Sequence, residues 1–294
     1  MPAPVAVARP ALSYSDCSNP KSASRAARRA ILWANRLTET AVNILVVADT
    51  PDRALYEYFS AERWAREEIE LILACGDLDP SYLDFLVSAF NVPLYYVRGN
   101  HDVAYTTSPP AGAEPLHRRL VVYRGIRLLG FDGSMRYNGG LAQYTEWQMA
   151  WFVWWSQWAI RRHGGVDIVI AHSPPRFCPY PPGRCCCSRP AVRLPKGRPG
   201  YPRGTFGQAC PLRPQQRCWD ASDLAHRGFA AFRRLIVRWQ PAYFVHGHTH
   251  LGYGQRPREL LIGHTRVVDA YGYTVLRWPP VPLPQGAAAQ PPTT

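Results

Sequence analysis

Seven side chains able to bind a divalent metal fall at five places along this chain. Asp49 closes the apolar run NILVVAD (43–49), and Asp77 closes IELILACGD (69–77). The stretch VRGNHD (97–102) carries Asn100 and His101, with Asp102 beside them. His172 follows the apolar half of VDIVIAHSPP (166–175), and VHGHTH (245–250) carries His248 and His250 beside His246. Carboxylate and imidazole donors with one amide oxygen suit Mn, Fe, Zn or a similar divalent ion. The set is larger than one ion needs. Two ions about 3.5–4 Å apart, sharing one carboxylate, would use it well; such a pair clamps a phosphoryl group and generates hydroxide near neutral pH.

For those groups to meet, the elements before them must converge. Short apolar runs at 43–49, 69–77, 93–102, 166–175 and 242–250 read as buried strands. Residues 120–134 read as a hairpin around Arg124-Gly125, and 265–278 as one closing strand. Helical stretches are expected at about 53–67, at 81–90, at 145–163 with Thr145 as N-cap and Gly164 as stop, and at 223–240. The Trp-rich stripe of the third of these reads as core. Strands alternating with helices predict an α/β fold, whose ligands bind where strands end.

The 294 residues suffice for one large domain or two small ones. Residues 1–41 read as a basic, disordered extension, with a possible short helix at 25–37, and 279–294 as a disordered tail. The net charge of +13 points to a polyanionic partner, but only Lys21 and Lys196 are lysines among 34 basic residues, the usage of a GC-rich genome. No apolar run reaches transmembrane length and no secretory leader is evident, so a cytoplasmic location and no membrane partner are expected. The oligomeric state is not legible.

Six of eight cysteines crowd into 178–218, within an insertion at about 176–220. Residues 176–218 hold nine basic residues and no acid. This stretch reads as a tolerated low-complexity insertion, a cationic lid that would admit nucleic acid, or a zinc knot, although its spacing fits no paired CxxC site.

Taken in order, VVADTP, CGDLDP, GNHD, IAHSPP and GHTH resemble the calcineurin-like metallophosphoesterase superfamily over about residues 42–278. The text between them is similar to a bacterial subgroup of it. The resemblance implies a four-layer α/β/β/α sandwich and a metal-dependent phosphoesterase acting on a phosphomono- or phosphodiester. The reaction would be in-line attack by a metal-bridging hydroxide. It implies that Asp77 bridges two ions, that Asn100, His172 and His248 complete one site, and that Asp49 and His250 hold the other. His101 would lie by the scissile phosphate, with Asp102 orienting its ring.

One block departs from the family. Where Asp-x-His is usual, the chain has Asp49-Thr50-Pro51, and Pro51 has no donor. Asp52 or His246 could stand in, that ion could bind only with substrate, or the fold could serve as a non-catalytic scaffold. A nuclease is a further alternative, favoured by the basic insertion. Taken singly, each residue has a plainer reading. Asp49 and Asp77 would cap helices, His172 would be a bonded loop histidine, and Asp269 would complete a turn or strand pair. His226 reads equally as a site residue or a helix-surface histidine; His117, His163 and His264 read as surface residues and Cys75 as a buried small hydrophobe.

Overall fold

The computed structural model describes residues 41–177, 209–210, 213–217, 224–250 and 258–280. The expected extension before Ala41, nearly all of the basic insertion with its cysteines, and the tail beyond Pro280 lie outside the described residues.

In chain order the elements are β1 (Val42–Ala48), α1 (Ala61–Ala65), β2 (Ile69–Ala74), α2 (Pro80–Phe90) and β3 (Leu94–Tyr96). After a 3-10 turn at Val103–Thr106 come β4 (Glu114–Pro115), β5 (Leu120–Tyr123), β6 (Ile126–Phe131), β7 (Ser134–Met135) and β8 (Gln143–Tyr144). Next are α3 (Glu146–Arg162), β9 (Ile168–Ala171), β10 (Ala209–Cys210), β11 (Arg213–Arg217) and α4 (Ala230–Trp239). The chain closes with β12 (Tyr243–His246), β13 (Glu259–Ile262), β14 (Thr265–Asp269) and β15 (Gly272–Trp278).

Two sheets dominate. One has five strands in the order β15-β1-β2-β3-β4, and the other six in the order β13-β14-β12-β9-β6-β5. Within them β1, β2, β3 and β4 run parallel, as do β6, β9, β12 and β14. The central parallel strands are largely apolar on both sides because both faces are covered. In β1, Ile44 and Val46 join Leu71, Leu128, Ile170 and Val245 in a core between the sheets. Leu45 and Val47 point the other way, to a core with Tyr82, Leu83 and Leu86 of α2. On the far face of the second sheet, Val169 and Phe244 meet Met149 and Ile160 of α3 and Phe232 and Ile236 of α4. Three cores between four layers make the expected α/β/β/α sandwich.

Local sequence sets the helix ends. Asp79 accepts from Ser81 N ahead of Pro80, and left-handed Asn91 closes α2. Thr145 and Gln148 form a reciprocal capping box at the start of α3. Thr145→Ala should lower stability by about 1 kcal/mol. Equilibrium chemical denaturation checks this, and an unchanged midpoint would contradict it. At its start, α3 binds α4 through Glu146, whose carboxylate accepts from Ala230 N and Ala231 N. Toward their ends, Trp239 Nε1 donates to Gln157 Oε1 at 2.6 Å. The two helices therefore lie side by side and run the same way.

Four sequence expectations need correcting. The helix expected at 53–67 is a turn followed by the short α1, whose N-cap is Ser60. The single closing strand is two, β14 in the second sheet and β15 against β1 in the first. Apolar alternation carries through the corner because both strands face cores, so periodicity alone hides the change of sheet. The Trp stripe of α3 is not core. Met149, Val153 and Ile160 are buried, whereas Trp147, Trp151, Trp154, Trp155 and Trp158 are exposed. A helix with two apolar arcs can dock only one against the sheet, and here the aliphatic arc packs. Finally, His117 is half-buried, with Nδ1 accepting from Asp132 N at 2.8 Å and its ring stacked on Tyr144.

Candidate metal centre

Five of the parallel strands end on one edge of the sandwich, and their following loops bring the expected residues to it. Asp49 follows β1, Asp77 follows β2, Asn100 and His101 follow β3, His172 follows β9 and His248 follows β12. Asp49, Asp77 and His248 all have left-handed φ, of 65°, 55° and 65°. Such conformations are uncommon for residues other than glycine and persist where surrounding contacts hold them.

The contacts are identifiable. The Asp49 carboxylate accepts from His248 N at 2.8 and 3.0 Å, joining the first sheet to the second. Asp77 Oδ1 accepts from His101 N at 2.8 Å. A Cβ on Gly99 would collide with the Asp77 carboxylate, and one on Gly247 would lie 2.8 Å from Asp49 Oδ2. Glycine at these two positions lets backbone approach the carboxylates closely.

His172 is fully buried. Its Nδ1 lies 2.8 Å from Cys75 O, which can only accept, so Nδ1 carries hydrogen. Nε2 then faces Asn100 Oδ1 at 3.1 Å and Asp77 Oδ2 at 3.4 Å. Burial disfavours a charged ring, but the Asp77 hydrogen bond and charge outweigh it and lift the His172 pKa to about 9. The same partnership holds Asp77 below the usual carboxylate range, against the opposing pull of burial.

His248 differs. Burial, with the His172 charge beside it, pushes its pKa down to about 3. Its Nε2 donates to Ala225 O at 2.8 Å, leaving Nδ1 without hydrogen and its lone pair able to bind a metal. Its ring lies 4.6 Å from that of His172 and 4.9 Å from that of His226. Asp77, His172 and His248 each present one ligand atom, all within 4.8 Å of one another, the one such group among the described residues. Two imidazoles and a carboxylate, with the Asn100 amide oxygen beside them, fit a divalent ion of the Mn, Fe or Zn kind.

Asp49 and His250 stand outside that group. Burial raises Asp49 to about 7, with the charges of Asp269 and Asp77 acting in the same direction. His250 is exposed, its ring 5.3 Å from that of Tyr271 and 6.1 Å from that of His226. Neither stand-in for the histidine missing at Pro51 joins the group. Asp52 Oδ1 accepts from Ala54 N in the turn after β1, and buried His246 has Nδ1 2.9 Å from Gly247 O.

Asp102 is put to a different use from the one expected. Its Oδ2 accepts from Gly99 N at 2.6 Å and Asp77 N at 2.9 Å, and its Oδ1 from Leu78 N at 3.1 Å. Buried and acceptor-only, it clamps the two glycine turns together, while the His101 side chain points to solvent. His226, ambiguous in the sequence, stacks on His248 at the edge of the group. Asp269, expected to complete a turn or strand pair, ends β14 opposite His246. It does accept from Tyr271 N, but it also takes Thr249 Oγ1 at 2.8 Å and so braces the GHTH loop. The signal was present: TRVVD is an apolar run ending in Asp, like NILVVAD.

The sequence profile of the calcineurin-like phosphoesterases matches residues 42–252. No curated protein matches the chain. Among solved structures similar to it is TT1561 of Thermus thermophilus, at 15% identity and TM-score 0.49, covering 81% of this chain and 94% of that one. Another is 16% identical with TM-score 0.49, covering 81% of this chain and 95% of its own.

Proposed function

Because the chain belongs to the calcineurin-like phosphoesterase family, whose members hydrolyse phosphoesters with divalent metals, we propose that it cleaves a phosphomono- or phosphodiester at the Asp77 centre. The observation that carries this is the convergence of Asp77, His172 and His248, with Asn100, at the ends of strands from two sheets. Divalent ions held there would supply Lewis acidity and a water of lowered pKa.

The chain's own groups divide the remaining work. Asp77, Asn100, His172 and His248 would hold one ion. Asp49 and His250, together with Asp77, would hold a second more weakly, since Pro51 supplies nothing. His101, anchored by its backbone to Asp77 and open to solvent, meets the phosphate. Its ring stabilises charge developing on the phosphoryl oxygens or protonates the leaving oxygen. Asp102 acts through the backbone, fixing where Asp77 and Asn100 sit.

Hydrolysis of bis-p-nitrophenyl phosphate and p-nitrophenyl phosphate with added manganese tests the reading. Turnover that EDTA abolishes and manganese restores is expected. Inactivity toward both esters across manganese, zinc and iron would favour a non-catalytic scaffold. The nine basic residues at 176–218 favour a nucleic-acid phosphodiester among the possible substrates. A salt-sensitive gel shift with single-stranded oligonucleotides checks that choice.

Metal uptake should depend on pH in a defined direction. With its pKa lifted to about 9, His172 holds a proton at neutral pH that must leave before Nε2 can bind an ion. Apparent affinity should therefore rise roughly tenfold per pH unit as pH climbs toward 9. Below about 7, where Asp49 also takes up a proton, loading of its ion should weaken further as pH falls. Calorimetric titration of metal-free protein with manganese in buffers of differing ionisation heat checks this. A flat profile with no proton release would contradict it.

A further inference from the structure

The exposed indoles of α3 form a continuous face unrelated to the metal centre. At roughly 100° per residue, Trp147, Trp151, Trp154, Trp155 and Trp158 fall within an arc of about 100°. Arg161 and Arg162 continue the same arc through the last turn. The buried arc, with Met149, Val153 and Ile160, lies opposite. The five tryptophans are between 45% and 74% exposed. Trp151, Trp154 and Trp155 pack on one another, with ring centroids 5.1 to 5.6 Å apart. Together they leave an indole surface on the order of several hundred Å², large for a face meeting only water.

Apart from Glu146, the charged residues of α3 and neighbouring α4 are all basic. Arg161 and Arg162 are exposed at its end. Arg234 and Arg238 project from the outer side of neighbouring α4. The only acid on α3 is Glu146, which is engaged by Ala230 N, Ala231 N and Arg234. An occupant must therefore accept indole rings and carry negative charge. Indoles favour the headgroup level of a bilayer, where the ring is buried and its N–H stays wet, and arginines beside them meet lipid phosphates. Among the described residues no helix is long and apolar enough to cross a membrane, so contact by this face would be peripheral.

We propose that the Trp/Arg face of α3 docks on the surface of a bilayer containing anionic lipid. The face lies on the outer side of a helix already packed by its other arc, so docking needs no rearrangement of the sandwich. It holds whether or not the metal centre hydrolyses phosphoesters.

The test is co-sedimentation of the full chain with sucrose-loaded vesicles, either phosphatidylcholine alone or phosphatidylcholine with one quarter phosphatidylglycerol. The wild type is expected to pellet with the anionic vesicles and less so in high salt. The variant Trp151→Ser/Trp154→Ser/Trp155→Ser/Trp158→Ser should partition at least about tenfold more weakly, and Arg161→Glu/Arg162→Glu also about tenfold. All six positions are exposed, so circular dichroism should show both variants folded. Three results would overturn the proposal. The wild type could stay in the supernatant. The Trp variant could pellet like the wild type, which would assign binding to basic surface elsewhere. Or sedimentation velocity could show a wild-type dimer that the Trp variant dissociates without vesicle binding, making the occupant a second copy.

Discussion

Asp77→Asn is expected to lower turnover about a thousandfold or more, equivalent to about 4 kcal/mol of transition-state stabilisation, and to strip the bound metal with it. The substitution keeps the shape, so the oxygen accepting from His101 N survives and the fold should stand. What disappears is the negative charge between His172 and the phosphate site. Without it only the Asp49 charge and the Cys75 carbonyl oppose the burial that disfavours a charged His172, so that ring's pKa should fall as well. Metal content by mass spectrometry, measured with turnover of bis-p-nitrophenyl phosphate, checks both effects. Full metal loading with normal turnover would remove Asp77 from its assigned place. The companion variant His101→Gln should separate the two readouts, losing about a hundredfold in turnover while retaining metal.

Asp102→Ala should be destabilising by roughly 3 kcal/mol and should weaken metal binding as well. Three backbone N–H groups lose their acceptor at a buried position, and each unsatisfied donor costs on the order of 1–3 kcal/mol before water relieves it. Two of those groups belong to Asp77 and Gly99, so the carboxylate and amide ligands would lose their fixed spacing. A carboxylate serving only to orient His101 would cost turnover and leave stability and metal content intact. Chemical denaturation beside metal analysis distinguishes the two. The pH dependence has a definite sign. Burial lifts the Asp102 pKa to about 6, against the backbone bonds from Gly99 and Asp77. The stability linked to its proton is present below 3.8 and is lost as pH rises through about 6. The alanine variant should lack that loss.

Much of the fold was legible because buried parallel strands announce themselves. NILVVAD, IELILACGD and AYFVHGHTH are apolar runs stopped by polar ligands, and the structure has β1, β2 and β12 there. Thr145 marked the start of α3 within one residue. Convergence of Asp77, Asn100, His172 and His248 was legible too, since strand ends on one edge of a sheet must lie together. Side-chain direction was not. Asp102 stands next to His101 in sequence, yet its oxygens turn toward backbone that arrives from residues 77 and 78. The indoles of α3 misled for a related reason. Hydrophobicity says that a face prefers cover, but not whether the same chain provides it. Nor could composition reveal the split between β14 and β15, because the apolar pattern continues across a corner where the chain changes sheets.

That corner bears on how the protein can be made. The strand β15 is the last of the described chain, and it seals the open side of β1, the first, along its whole length. A growing polypeptide will expose β1 as an unprotected, largely apolar sheet edge until β15 is synthesised. The loop carrying Asp49 leaves that same strand, so the metal centre cannot reach its finished shape during elongation. Any chain broken off before Gly272 would carry a sticky edge and an incomplete centre, a species for chaperones to hold or proteases to clear.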